Sequence, residues 1–424
     1  MSGETLKIVI VAILTGEFVL ERVLSHLNIK AMSNKLPSKL EGLYDAAEYK
    51  RSQEYQAEKD RLGLYSSAAS YLLTMILLLA GGYAAINSFC LDLSDNNTIQ
   101  LLSFFAIIAL ISDVIGIPFE WMNTFKIEEK YGFNKMTVGT FVLDKLKGYA
   151  LGAILGGLLL WGFVAFYHNF PSTYWIIAWV VFMLFALGAT MFYANVILPM
   201  FNKLTPLEEG ELLSAITTYA NSVDFPLGKI MVMDGSKRST KANAFFSGLG
   251  GNKNIVLYDT LIEKLSTDEI VAVLAHEVGH YKRKHTLQMF VISAVNIFIT
   301  LWLLSLFIDS KELMVAMGAD NMTQLGSFFK SNTGGYLSPL NLVAFSMLYS
   351  PISMITGLIV NAFSRKNEFE ADAYAKDTSS SSALVEALKK LSVDSLSNLT
   401  PHDSYVKMHY SHPPLIQRME AMEE

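Results

Sequence analysis

Seven stretches of this chain are apolar for about 20 residues or more, at 6–24, 64–90, 101–122, 146–166, 175–199, 287–308 and 340–363. Hydrocarbon offers a backbone no external hydrogen-bond partner, so stretches of that length are expected to cross a bilayer as helices. Glu17 interrupts the first stretch, and positions 20–23 supply no small-residue cleavage site, so it is expected to remain as an anchor. Composition agrees: 52% of the 424 residues are hydrophobic and 17% charged, against about 25% charged in soluble domains. With a net charge of −6 and no arginine-rich arm, nucleic acid is excluded as a partner. The single cysteine, Cys90, rules out an internal disulfide framework and a cysteine-rich zinc module. Histidines and carboxylates are left as metal ligands.

Basic residues in the connections set the orientation, because cytoplasmic loops carry their excess. Lys30, Lys35, Lys39, Lys50, Arg51, Lys59 and Arg61 follow the first span, and Lys126, Lys130, Lys135 and Lys145 follow the third. The connections 91–100 and 168–173 hold no lysine or arginine, and 309–339 holds only Lys311 and Lys330. Every loop then fits an N-terminus outside and a C-terminus inside. The sequons at Asn96 and Asn321 fall on the outer side. Two long inner pieces, 202–286 and 364–424, are the only soluble mass.

The strongest local signal lies in the first of them: His276-Glu277-Val278-Gly279-His280. It sits in the helical pattern Ile270, Val273, Leu274, whose start is marked by Ser266 with Glu269 three residues on, a capping box. A spacing of four puts both imidazoles on one helical face, where they can share a zinc ion, with Glu277 beside a water on that ion. Such a water loses its proton near pH 7, so the pattern points to amide hydrolysis. A catalytic zinc takes three protein ligands, and the candidate third is Glu368, expected to begin a second inner helix after the last span. Asp372, one turn on, is placed to accept a hydrogen bond from a ligating imidazole, while Glu370 points elsewhere. Residues 229–233 and 254–258 have strand-like content, with a turn at 248–252 leading from Ala244-Phe245-Phe246 into the second. An extended peptide could add to the edge of that small sheet. Within the membrane, Asp113 and Glu120 are seven apart on one face and suggest a wet interior; the plainer alternative puts Glu120 at the interface and pairs Asp113 with a hydroxyl.

Several segments together resemble the type I CAAX prenyl proteases, a family of integral-membrane zinc endopeptidases. They are Asn123-Thr124-Phe125-Lys126-Ile127-Glu128-Glu129-Lys130-Tyr131-Gly132-Phe133-Asn134, Ser236-Lys237-Arg238-Ser239, Asn243-Ala244-Phe245-Phe246, the His276–His280 motif, Glu368 to Asp372, and Ser411-His412-Pro413-Pro414. The resemblance implies an all-α membrane protein in which seven transmembrane helices enclose a chamber, capped by a zinc metalloprotease domain with a small β-sheet. Residues 1–201 would hold spans one to five with cytosolic loops, 202–286 the first part of the protease domain, 287–363 spans six and seven, and 364–424 its second part. One zinc ion per chain would be held by His276, His280 and Glu368, with Asp372 behind them and Glu277 as general base and later proton donor. His412 would hydrogen-bond the oxyanion of the tetrahedral intermediate, Arg418 would pair with the Glu368 region or brace the site, and Asn243, with Ala244 and Phe245, would contact the substrate backbone. Without the resemblance, His412 reads as a loop histidine, Arg418 as a solvated charge and Asn243 as a turn former.

The implied substrate is the C-terminus of isoprenylated proteins, from which three residues are removed, and the implied partners are that protein and the lipid bilayer. The implied location is a multi-pass integral membrane protein with its N-terminus outside or lumenal and its active site cytosolic, in the inner membrane of a bacterium or the endoplasmic reticulum of a eukaryote. Clearance of misfolded membrane proteins without a prenyl requirement is an alternative. A transporter, channel or silent scaffold belongs to another class and leaves the His276–His280 motif unexplained.

Overall fold

The computed structural model describes residues 1–33, 35–247, 253–319 and 336–423. Among these, six helices are long and apolar enough to cross a membrane: Ala46–Leu79, Asn97–Glu128, Val138–Asn169, Tyr174–Phe201, His285–Phe307 and Pro339–Thr378. The remaining expected span lies in Gly3–Ala31, a 29-residue helix. Lys7, Glu17, Glu21 and Arg22 lower its hydropathy, and it packs along Lys311–Ala316 and Pro339–Thr378.

Two spans differ from their sequence outline. The stretch 64–90 is two helices: Ala46–Leu79, begun by Asp45 accepting the Glu48 N–H at 2.7 Å, and Gly82–Leu93. Between them Gly81 takes φ +73°, a left-handed conformation that costs glycine little and ends the first helix. The last span does not stop before Glu368. Pro339–Thr378 is one helix of 40 residues, with Pro351 inside it, that carries the chain from the apolar stretch into the polar C-terminal piece. Nothing in Ser364-Arg365-Lys366-Asn367 breaks a helix, so the apolar segment and the acidic one fuse.

Only 11–17% of the apolar window in each candidate span is buried. Most of that apolar surface is therefore free for contact with lipid. The two acids expected within the spans share one cation. Lys145 lies 2.7 Å from Asp113 and 2.7 Å from Glu120, and the Tyr149 hydroxyl donates to Asp113. One cation therefore answers both acids, which offsets the cost of placing them at this depth.

The connections sort to two sides. On one, Asn97 donates to the Leu337 carbonyl at 3.0 Å and meets His168 at 3.1 Å. On the other, the two polar pieces dock on the helix ends: Arg238 holds Asp144 with two bonds of 2.8 and 3.0 Å, Lys241 holds Glu128 at 2.9 Å, and His409 meets Glu21 at 3.2 Å. The sequon at Asn321 and the turn expected at 248–252 lie outside the described residues.

Among the described residues, the first polar piece contains a four-stranded sheet of β1 (Leu204–Pro206), β2 (Leu227–Met233), β3 (Ala244–Ser247) and β4 (Lys253–Tyr258) in the order β1-β2-β4-β3. β2 runs parallel to β4, and β3 pairs antiparallel with β4, Ala244 opposite Leu257, which leaves β3 at the edge. Ile230, Ile255 and Leu257 of the sheet share one core with Ile270, Leu274 and Val278 of the Thr267–Lys282 helix. Ala375, Leu384 and Met422 join the same core. The two inner pieces thus close around one apolar centre.

Candidate active site

The Thr267–Lys282 helix begins as its sequence indicates. Ser266 Oγ accepts the Glu269 N–H at 3.3 Å while Glu269 accepts the Ser266 N–H at 2.8 Å, a reciprocal cap worth about 1 kcal/mol. Lys390 braces the same carboxylate at 2.7 Å. Further along, Gly279 makes the closest approach. A Cβ there would stand 3.0 Å from both Cα and O of Ala371, so a larger residue would push the 40-residue helix away. That approach lets side chains of the two helices meet.

His276 Nε2 and His280 Nε2 lie 3.1 Å apart. Glu368 completes the triangle, with Oε2 3.4 Å from His276 Nε2 and Oε1 3.3 Å from His280 Nε2. Among the described residues these three form a group whose donor atoms all lie within 4.8 Å of one another. Tetrahedral ligands at about 2.0–2.1 Å from a zinc ion stand about 3.3 Å apart, and all three edges come close to that. Glu368 is buried, yet its Oε2 has no hydrogen-bond partner. A buried carboxylate that turns one oxygen to each of two imidazole nitrogens, with Oε2 free of hydrogen bonds, is what a cation site requires, so the residues fit the metal.

Behind the triangle, His276 Nδ1 lies 2.7 Å from Asp372 Oδ1. Donation to that carboxylate places the ring proton on Nδ1 and leaves Nε2 with its lone pair toward Glu368. Arg418, itself buried, grips Asp372 with bonds of 2.8 and 2.6 Å and brings Nη1 within 3.5 Å of Glu368 Oε2. Burial alone would pull the His276 imidazole down, but the Asp372 and Glu368 carboxylates outweigh it and hold it at about 9. Burial also raises the Glu277 carboxyl above the ordinary carboxylate range, against the pull of His276 and His280.

His412 stands at the rim, its side chain 65% exposed, with Nε2 3.3 Å from Glu368 Oε1 and Nδ1 2.9 Å from Ser411 Oγ. Asn243 turns its Oδ1 onto the Ala244 N–H at 2.8 Å, and its backbone carbonyl accepts from Tyr258 at 3.1 Å. Asn243, Ala244 and Arg418 line a cavity of about 290 Å³. Phe245 lines another of about 350 Å³ with Thr286, Met289 and Ser364, beside the apolar stretches of two spans. Glu277, Glu368 and His412 line both, so the cavities meet at the triangle.

Two groups escaped the sequence reading. His285, five residues beyond His280, stands directly against it, and Glu370 pairs with His285 instead of solvent alone. The visible signal was a third histidine in a ten-residue segment. Lys241, two residues before Asn243, ties the cavity wall to Glu128 and Tyr55 at 2.9 Å each, which gives the 123–134 segment a bracing role that composition does not reveal.

Residues 25–203 match the family model for the CAAX prenyl protease N-terminal region with five membrane helices, and residues 206–424 match that for peptidase family M48. The chain is 31% identical to CAAX prenyl protease 1 of Saccharomyces cerevisiae, over 98% of this chain and 95% of that one. Identity is 34% with a CAAX prenyl protease 1 homolog of Oryza sativa, over 92% and 90%. The crystal structure of S. mikatae Ste24p superposes with a TM-score of 0.92 at 31% identity and covers 99% of each chain. Two facing helices that assemble a His-His-Glu triangle beside a set of long apolar helices, together with similarity along the whole length, establish that the chain belongs to the M48 metallopeptidases of the CAAX prenyl protease type.

Proposed function

We propose that the triangle of His276, His280 and Glu368 holds one zinc ion and that the cleft removes the three C-terminal residues of a prenylated protein on the cytosolic side of the membrane. The observation that carries this reading is the tetrahedral spacing of the three donors at the point where two cavities meet. Two imidazoles and one carboxylate suit zinc among the common divalent ions. Bound there, zinc supplies Lewis acidity and a water acidic enough to be deprotonated near neutral pH.

The chain's own groups do the rest. Glu277, with its raised carboxyl, takes the proton of the attacking water and returns it to the leaving amine. His412 donates to the scissile carbonyl oxygen as it gains charge, and Ser411 steadies its ring from the other nitrogen. The edge of β3 offers main-chain hydrogen bonds to an extended peptide, with Asn243 at its start beside the metal donors. Because the Phe245 cavity includes Met289 and Ser364 at the ends of spans, it takes the lipid-modified side of the substrate. The Asn243 cavity, walled by Leu384, Leu388 and Leu391, takes the departing residues.

Mass spectrometry of the products from a farnesylated CAAX peptide and its unmodified twin tests the substrate class. Release of the last three residues from the farnesylated peptide, at least about tenfold faster than from its twin, is the expected result. Equal cleavage of both would remove the prenyl requirement. Orientation is read separately, with a membrane-impermeant thiol reagent on intact cells or sealed vesicles. Asp95→Cys, at an exposed position between helices, should be labelled from outside, while Lys130→Cys should not; Cys90 is buried and gives little background. The reverse pattern would invert the topology.

A further inference from the structure

We propose that His285 and Glu370 form a hydrogen-bonded relay that positions His280, in parallel with the direct Asp372 contact that positions His276. The inference rests on the reading that the triangle holds zinc. His280 Nδ1 lies 3.0 Å from His285 Nδ1, and His285 Nε2 lies 3.1 Å from Glu370 Oε2. On the far edge of its ring, His280 Nε2 faces His276 Nε2 and Glu368 Oε1.

With the rings neutral, these contacts allow one arrangement of protons. His280 Nε2 keeps its lone pair for the metal, so its proton sits on Nδ1 and is donated to His285 Nδ1. The proton of His285 must then sit on Nε2, where Glu370 accepts it. Each imidazole of the triangle thus ends on a carboxylate, His276 directly and His280 through one intervening ring. Glu370 cannot serve His280 itself. It follows Glu368 by two residues on the same helix and so projects from a different face. His285 bridges the gap.

The backbone is shaped for this contact. Lys284 takes φ +59°, a left-handed conformation uncommon outside glycine, and so turns the chain sharply between the Thr267–Lys282 helix and the span that His285 begins. The turn folds His285 back on His280, where its side chain is 4% exposed, and Lys366 stands 3.7 Å from Glu370 at the open end of the relay. Strain retained beside a functional group is a mark of positioning.

Zinc affinity, measured by competition with a chromophoric chelator on purified full-length protein, tests the relay. Partners of this kind contribute about 10- to 100-fold to metal affinity. His285→Phe should weaken binding by that amount, and Glu370→Ala, a change at a half-exposed position, by about tenfold. His285→Gln keeps an acceptor for His280 and a donor for Glu370, so it should stay within about threefold of wild type. The absorption bands of the cobalt(II) form should shift in His285→Phe and not in His285→Gln. Equal weakening by Phe and Gln, or wild-type affinity in Glu370→Ala, would overturn the relay. Glu368→Ala separates this from the underlying reading: loss of zinc there with no change in the His285 and Glu370 variants sinks the relay alone, whereas wild-type protein that binds no zinc sinks both.

Discussion

Glu277→Gln should cut peptide cleavage by at least about 10³-fold while zinc content stays at the wild-type level, a barrier increase of about 4 kcal/mol. Glutamine keeps the shape and loses the ability to take a proton. The separation of activity from metal content is the informative part, since Glu277 is not a member of the donor triangle yet lines both cavities that meet there. Its burial-raised carboxyl suits a group that must accept a proton and then give it back in one turnover. Turnover by Glu277→Gln equal to wild type would reject the mechanism. Loss of zinc in the variant would assign Glu277 to metal binding.

A second large effect concerns stability. Arg418→Ala should destabilise the protease domain by about 3–5 kcal/mol, because it strips the partner from a carboxylate that cannot reach water. The Asp372 side chain is 1% exposed, and both its oxygens are bound by the guanidinium. Without Arg418, two buried carboxylates, Asp372 and Glu368, face each other across His276. Thermal unfolding in detergent, with and without added zinc, reads the result. Zinc should raise the melting temperature of both forms, since a ligand that binds only the folded form adds stability by mass action, and the deficit should persist in chelator. Arg418→Lys should recover only part of the loss, as an ammonium cannot make the two-pronged contact. An unchanged melting temperature in Arg418→Ala would show that the cluster is solvated.

How much of this was legible beforehand depends on the range of the interaction that decides each feature. The spacing of His276 and His280, the Ser266–Glu269 cap and the strand character near 229–233 and 254–258 are set within a few residues, and the structure has the cap and both strands. Hydropathy located the crossings, but it does not register an end that lies in polar sequence. The helix Ala46–Leu79 therefore starts far upstream of its apolar part, and the break at Gly81 passed unseen beneath a continuous apolar run. The fusion of the last span with the Glu368 segment is of the same kind. Contacts made through tertiary packing were harder still. The position of Arg418 came from resemblance to a family and not from its own surroundings, and the His285 contact depends on a single left-handed residue whose conformation a lysine does not announce. Gly279 shows the converse: a glycine inside a helix reads as a weakness, and only the partner helix explains it.

The uninterrupted Pro339–Thr378 helix links an apolar span rigidly to the proposed third metal donor. From Pro351 to Glu368 is 17 residues, a rigid arm of about 25 Å at 1.5 Å per residue. Rotating that arm by 5° sweeps its end through about 2 Å, as much as the whole length of a zinc–ligand bond. Because a mismatch with bilayer thickness is taken up partly by helix tilt, a thinner or thicker membrane would act on the proposed third donor through this arm, and the tight seam at Gly279 would resist it.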